Sequence, residues 1–297
     1  MRLEKILVVG VGLIGGSFAL AAKRAGIAVR ITGWDSEDAL ESARARGVID
    51  GVERAIESGD LIDADLLYLA APVGAIIDFL RQRGHLLKPG VIVTDAGSTK
   101  REICRAARES LAPTAHFVGG HPMAGSHKRG VEFASADLFC GAPYALVRDG
   151  TASKSSEAGT KALGMVIEMV EAIGARPTLL TAEQHDQAVA RISHAPQLLA
   201  TALALACGDA ACDNGVALAG SGFNHMTRLA ESRWSVWEDI CRTNSDEITA
   251  ALGEVIQRVD AIRAAISSGD FQIVREAFRS ANEFMQQLNV KRANSVE

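Results

Sequence analysis

Short apolar runs alternate with amphipathic stretches through the first half of the chain. Ile6–Val9, Val29–Trp34, Leu66–Ala70, Val91–Thr94 and His116–Val118 read as strands. Leu13–Ala25, Val73–Arg83 and Thr99–Leu111 read as helices between them, and Tyr144–Val147 and Arg176–Leu180 flank a further helix from about Glu157 to Ile173. Strands that are apolar without alternation are covered on both faces, as in a parallel sheet under helices. Strand–helix alternation then predicts a doubly wound α/β domain. After Leu180 the strand pattern stops. Thr181-Ala182-Glu183-Gln184 has the form of a capping box, and from there the chain reads as helix, broken at Gly208, Gly215, Gly220–Gly222 and Gly269. The expected division is 1–180 for the α/β domain and 181–297 for an all-α domain. Residues 196–220 are apolar nearly all round, which asks for enclosure by other helices, either within one subunit or across a homodimer.

Composition narrows the class. Of 297 residues, 48% are hydrophobic and 23% charged, the balance of a globular protein. A formal net charge of -5 disfavours a nucleic-acid partner. The five cysteines (Cys104, Cys140, Cys207, Cys212 and Cys241) are scattered, with no CxxC pair, and read as reduced thiols of a cytoplasmic protein; no metal site is expected. The apolar run Ile6–Ala22 imitates a signal-peptide core, but Gly10, Gly12, Gly15 and Gly16 interrupt it, and no run is long enough for a membrane span.

Gly10-Val11-Gly12-Leu13-Ile14-Gly15 is a GxGxxG pattern between a strand and a helix, and Asp35 ends the next strand 20 residues beyond Gly15. In that context the glycines permit a tight turn, backbone approach to a pyrophosphate and close helix–strand packing, while the carboxylate accepts from the adenosine ribose. The expectation is a Rossmann-type domain binding NAD, since Asp35 would repel the 2′-phosphate of NADP. The bland alternative is a glycine-rich turn without a nucleotide. Ala71 and Pro72, which follow the Leu66–Ala70 strand, are placed at the cofactor with Leu13, Ile14 and Ser98. The loops Asp95–Lys100 and Gly119–Gly125 each follow a strand, where an open α/β sheet holds its ligands. His121 in the second loop is a candidate general base; from spacing alone it could equally cap a turn.

The stretches VVGVGLIGGS, DAGSTK, GGHPMAGSHKRGVEFASADLF, HDQAVARISHAPQ and GSGFNHMTRLAES…VWEDI…N resemble the prephenate/arogenate dehydrogenases of tyrosine biosynthesis, across essentially the whole chain. The resemblance implies oxidative decarboxylation of a cyclohexadienol carboxylate. It makes His121 the base and gives Ser98 the task of orienting the substrate hydroxyl and the nicotinamide. Arg228 would hold the ring carboxylate, so that the site would lie between the domains; without the resemblance Arg228 reads as a surface ion pair. Ser193, His194, Gln197 and His127 are implied substrate-binding positions. Many members carry a second histidine where this chain has Gln197, a different polar residue at His127, and a basic–acidic pair where Asn224-His225 stands. These departures bear on whether prephenate or arogenate is read. His185-Asp186, near a helix start, is expected to be structural. No residues remain after the helical region for a regulatory domain, so feedback by tyrosine would act at the active site itself.

Two rivals keep the fold. A β-hydroxyacid or imine-reducing dehydrogenase is disfavoured because no lysine occurs between Leu180 and Val290. A non-catalytic NAD sensor is disfavoured by the presence of Ser98, His121 and Arg228 together.

Overall fold

A computed structural model of the chain describes residues 2–125, 128–148, 157–210 and 218–294. Among the described residues eight strands form one sheet: β1 (Leu3–Val9), β2 (Ala28–Trp34), β3 (Gly51–Val52), β4 (Leu66–Leu69), β5 (Ile92–Asp95), β6 (His116–Pro122), β7 (Pro143–Val147) and β8 (Arg176–Leu180), in the spatial order β3-β2-β1-β4-β5-β6-β7-β8. The connecting helices are α1 (Leu13–Arg24), α2 (Glu37–Ala45), α3 (Ala55–Ser58), α4 (Val73–Arg83), α5 (Arg101–Ser110) and α6 (Glu157–Ala172). Ile6, Leu7, Val8, Leu66, Leu67, Tyr68 and Leu69 are all essentially inaccessible, as continuous apolar runs covered on both faces require.

The doubly wound sheet expected from the pattern is present, with two differences. The pairing of β6 with β7 is antiparallel, and β6 runs past Val118 to Pro122. Gly119 and Gly120 lack the side chains that mark a buried strand, so the alternation of apolar positions ends before the strand does. A Cβ on Gly120 would lie 2.4 Å from the Asp95 carbonyl oxygen, so only glycine lets β6 pass there. Helix α2, not anticipated, has few apolar positions and buries only Leu40 and Ala43.

Beyond β8 follow α7 (Ala182–Val189), a π-helical turn (Ala190–His194), α8 (Ala195–Ala210), α9 (Ser221–Thr227), a 3-10 turn (Arg228–Glu231), α10 (Trp234–Thr243), α11 (Ser245–Ser268) and α12 (Phe271–Asn294). The capping box forms: Gln184 N–H donates to Thr181 Oγ1 at 3.2 Å, and Thr181 N–H donates to Gln184 Oε1 at 3.0 Å. Gly269 separates α11 from α12 with a φ of 73°, whereas Gly208 lies within α8. Pro196 has no N–H to offer the Ile192 carbonyl, which is the local reason for a π turn ahead of α8.

By packing, one unit takes residues 1–189 and 231–245, and the other takes 190–230 and 246–297. Helices α7 and α10 count with the sheet, tied there by the carboxylates of Asp186 and Asp239. The second unit has little core of its own. Its buried apolar residues among those described are Ala190, Ala195, Ala200, Ile248, Ala251 and Ala265. Large apolar side chains stay in the open: Val259 is 57% exposed on α11, and Phe271 and Phe278 are 65% and 67% exposed on α12. Among the described residues no helix is long and apolar enough to cross a membrane.

Candidate active site

The strand order lays the candidate residues out along one edge of the sheet. At the carboxyl ends of β2, β1, β4, β5 and β6 lie, in spatial order, Asp35, the Gly10–Gly15 turn, Ala71-Pro72, Ser98 and His121. The reversal in strand order falls between β1 and β4, where open α/β sheets bind ligands. Gly10 adopts a φ of 88°, and a Cβ on Gly15 would lie 1.9 Å from the Gly10 carbonyl oxygen, so the turn closes only on glycine. A Cβ on Gly12 would meet nothing within 4 Å, which leaves the N-terminus of α1 open to a ligand. Leu13 and Ile14 begin α1 and are half-buried. Asp35 also braces the turn: its Oδ2 accepts the Val11 N–H at 2.7 Å and its Oδ1 accepts the Ser36 N–H at 2.6 Å.

Ala71 and Pro72 precede α4. Proline has no side-chain acceptor for the first N–H groups of that helix, and Asp239 of α10 takes the role, accepting the Gly74 N–H at 2.8 Å. Helix α10 reaches the neighbouring loop as well. Thr243 gives its hydroxyl hydrogen to the Asp239 carbonyl at 2.7 Å, so in the 2.7 Å contact between Thr243 and Thr99 the donor is Thr99. Ser98, half-buried, stands between Thr99 and Gly97, whose N–H donates to Asp95 Oδ2 at 2.8 Å.

Under these loops lies a buried polar network. Lys100 and Asp95 form an ion pair with no exposure on either side chain. The Lys100 ammonium also donates to the Gly120 carbonyl at 2.7 Å, and Asp95 Oδ1 accepts the Gly120 N–H at 3.0 Å. The DAGSTK loop and the strand carrying His121 are therefore held by the same two charges. Asp186 of α7 accepts the N–H groups of Lys100 (2.7 Å) and Arg101 (2.9 Å). Asn244 closes the network, donating to the Asp186 carbonyl at 2.9 Å and accepting from the Arg101 guanidinium at 2.9 Å.

His121 lies in strand β6, opposite Ala145 of β7, and not in a loop. Its Nδ1 is 2.9 Å from Nε2 of His185, whose Nδ1 is 2.8 Å from Asp186 Oδ1. Burial lowers the His185 pKa, with Asp186 pulling the other way. Burial tends to raise that of Asp186, but His185 and the Arg101 and Lys100 N–H groups hold it below the usual carboxylate range. The His185-Asp186 pair, expected to be structural, thus touches the candidate base. An H-D dipeptide just past a capping box was the signal available; the 64-residue separation from His121 hid the contact.

In the second unit, Ser193 and His194 belong to the π turn, Ser193 half-buried and His194 buried. Gln197, also buried, donates its amide N–H to the Leu229 carbonyl at 2.6 Å, next to Arg228. Arg228 opens the 3-10 turn after α9 and is exposed. His127 lies outside the described residues.

This layout is that of a nucleotide-dependent dehydrogenase, and sequence comparison supplies the family. Residues 18–179 match the family description "Prephenate dehydrogenase, nucleotide-binding domain", and residues 181–280 match "Prephenate dehydrogenase, dimerization domain". The chain belongs to the prephenate dehydrogenase family. The prephenate dehydrogenase of Lactococcus lactis subsp. cremoris is 32% identical over 97% of this chain and 78% of its own length. The cyclohexadienyl dehydrogenase of Zymomonas mobilis is 31% identical over 94% of both chains. Among solved structures, prephenate dehydrogenase from Aquifex aeolicus, in complex with hydroxyphenyl propionate and NAD+, superimposes with a TM-score of 0.83 at 27% identity, covering 99% of both chains. Synechocystis arogenate dehydrogenase superimposes with a TM-score of 0.80 at 29% identity, covering 96% of this chain and 99% of that one. As a member of the prephenate dehydrogenase family the chain is an oxidoreductase with a nucleotide-binding domain and a helical second part.

Proposed function

We propose that the protein catalyses the NAD-dependent oxidative decarboxylation of prephenate, arogenate or both, giving 4-hydroxyphenylpyruvate or tyrosine. The observation that carries this reading is the alignment of the Gly10–Gly15 turn, Ser98 and His121 along one sheet edge in a chain of this family. Asp35 and the open N-terminus of α1 fit NAD, with Gly10, Gly12, Leu13, Ile14, Gly15, Ala71 and Pro72 around it. The bound nicotinamide supplies the hydride acceptor for C4 of the substrate. His121 takes the C4 hydroxyl proton as the hydride leaves, and Ser98 orients that hydroxyl. The dienone so formed is a vinylogous β-keto acid; it loses CO2 to give an aromatic phenolate, and the proton returns to that oxygen from His121. Aromatisation drives the second step, so it needs no further cofactor.

Arg228 is assigned the ring carboxylate, which a planar guanidinium binds bidentately. Ser193, His194, Gln197 and His127 complete the substrate contacts, and the buried amide of Gln197 can hydrogen-bond either the pyruvyl or the amino-acid side chain. The enzyme works in the cytoplasm, in keeping with its scattered thiols. It works as a homodimer, a state supported by the apolar side chains left exposed on α11 and α12.

Turnover with prephenate and with arogenate, each with NAD and NADP, followed at the reduced-nicotinamide absorbance, tests the reading. Activity with at least one substrate and NAD is expected. His121→Asn should lower kcat by roughly 10²- to 10⁴-fold with KM little changed, and Arg228→Gln should chiefly raise KM. Near-wild-type kcat in His121→Asn would show that the base is another residue.

A further inference from the structure

Among the buried polar groups that have no part in the steps above, His185 and Asp186 reach the candidate base. His185 and Asp186 are 1% and 0% exposed, yet they connect to His121 through consecutive hydrogen bonds of 2.8 and 2.9 Å. The direction of each bond follows from charge. Asp186 accepts two backbone N–H groups and the Arg101 Nε–H at 3.3 Å, so it is a carboxylate and can only accept. His185 Nδ1 must then carry the hydrogen between them. Burial disfavours a charge on a histidine this deep, and the neutral ring has a single N–H. Nε2 of His185 is therefore bare and can only accept. His121 Nδ1 has to be the donor across the 2.9 Å contact, which leaves the Nε2 lone pair of a neutral His121 as its basic atom.

We propose that His185 and Asp186 are positioning residues that lock His121 in its Nδ1–H tautomer, so that Nε2 is the atom that receives the substrate's hydroxyl proton. This rests on the assignment of His121 as base and specifies which of its nitrogens acts and what fixes it. The logic is that of a hydrolase triad, where a buried third group holds the imidazole in the productive tautomer. Here a second imidazole carries the constraint from carboxylate to base. The charged groups around His185 are Asp186 and Asp95 on the acidic side and Lys100 and Arg101 on the basic side.

Histidine side-chain ¹⁵N shifts of the full-length enzyme read this directly, with the His121 signals assigned by their loss in His121→Asn. The expected pattern for His121 is a protonated Nδ1 and a bare Nε2. In His185→Ala the tautomers should mix and kcat should fall on the order of 10²-fold with KM nearly constant. His185→Gln, whose amide oxygen can accept from Nδ1–H, should recover much of that loss. A wild-type His121 bare at Nδ1 overturns the proposal, as does a His185→Ala enzyme with unchanged shifts and kcat. The spectrum needs no substrate. Failure of both prephenate and arogenate in the turnover assay would thus refute the assigned function while the tautomer remained decided by the spectrum.

Discussion

His185 shows how burial couples one side chain to both catalysis and stability. An unperturbed histidine titrates at about pH 6.5, and burial lowers His185 below that despite the opposing pull of Asp186. On acidification the unfolded chain takes up the proton first. The stability due to neutral His185 is therefore complete above about pH 6.5 and is lost as pH falls through the lower folded value. The Tm of the wild-type enzyme is expected to decline between pH 7 and 5, and that of His185→Gln to decline less, because glutamine does not titrate. Parallel Tm curves for the two proteins would contradict this. Asp186 acts in the same direction at lower pH, since its folded pKa is also depressed. His121 and Ser98 were legible in the sequence because each belongs to a recognisable short motif, the glycine–histidine–proline segment and the DAGSTK loop. His185, Asp186 and Asn244 were not, since their roles exist only once segments 58 to 86 residues apart meet.

Element ends carry much of the site's order. The start of α4 is capped from 165 residues away by Asp239, because Pro72 offers no acceptor and Gly74 leaves room only for that carboxylate: a Cβ on Gly74 would lie 2.9 Å from it. Asp239→Ala should lower unfolding free energy by about 1 kcal/mol, the usual magnitude for a lost helix cap, as measured by urea denaturation. It should also weaken NAD binding, because Ala71 and Pro72 lead into that helix. An Asp239→Ala protein as stable as wild type would mean that the α4 terminus is satisfied some other way. Elements with a strong apolar pattern, such as β4 and α4, appear where the pattern puts them, while β1 begins three residues before its apolar run, at Leu3. The polar helix α2 and the glycine end of β6 carry weak patterns and take their form from the sheet around them.

For the whole molecule, the second unit stands out for what it leaves unburied. Phe271, Phe278 and Met285 of α12 recur every seven residues and are 65%, 67% and 47% exposed. Such a stripe is suited to helix–helix association. Burying one phenylalanine is worth roughly 1.5–3 kcal/mol, so several together can hold two copies in contact. Phe278→Asp is expected to shift the protein from dimer to monomer in sedimentation-velocity runs at micromolar concentration. Wild-type protein sedimenting as a monomer under the same conditions would refute the dimer.

Local chemistry alone determined the alternation of strand and helix, the glycine turn with its distant acidic partner, the capping box and the family signature, because each depends on residues close in the chain or at a fixed spacing. The tertiary structure decided how those pieces meet: the antiparallel turn of β6, the carboxylate of α10 on α4, and the Asp186–His185–His121 chain. Hydrogen bonds between remote segments leave no period in a sequence. Their partners are selected by burial, which obliges each enclosed polar atom to find one.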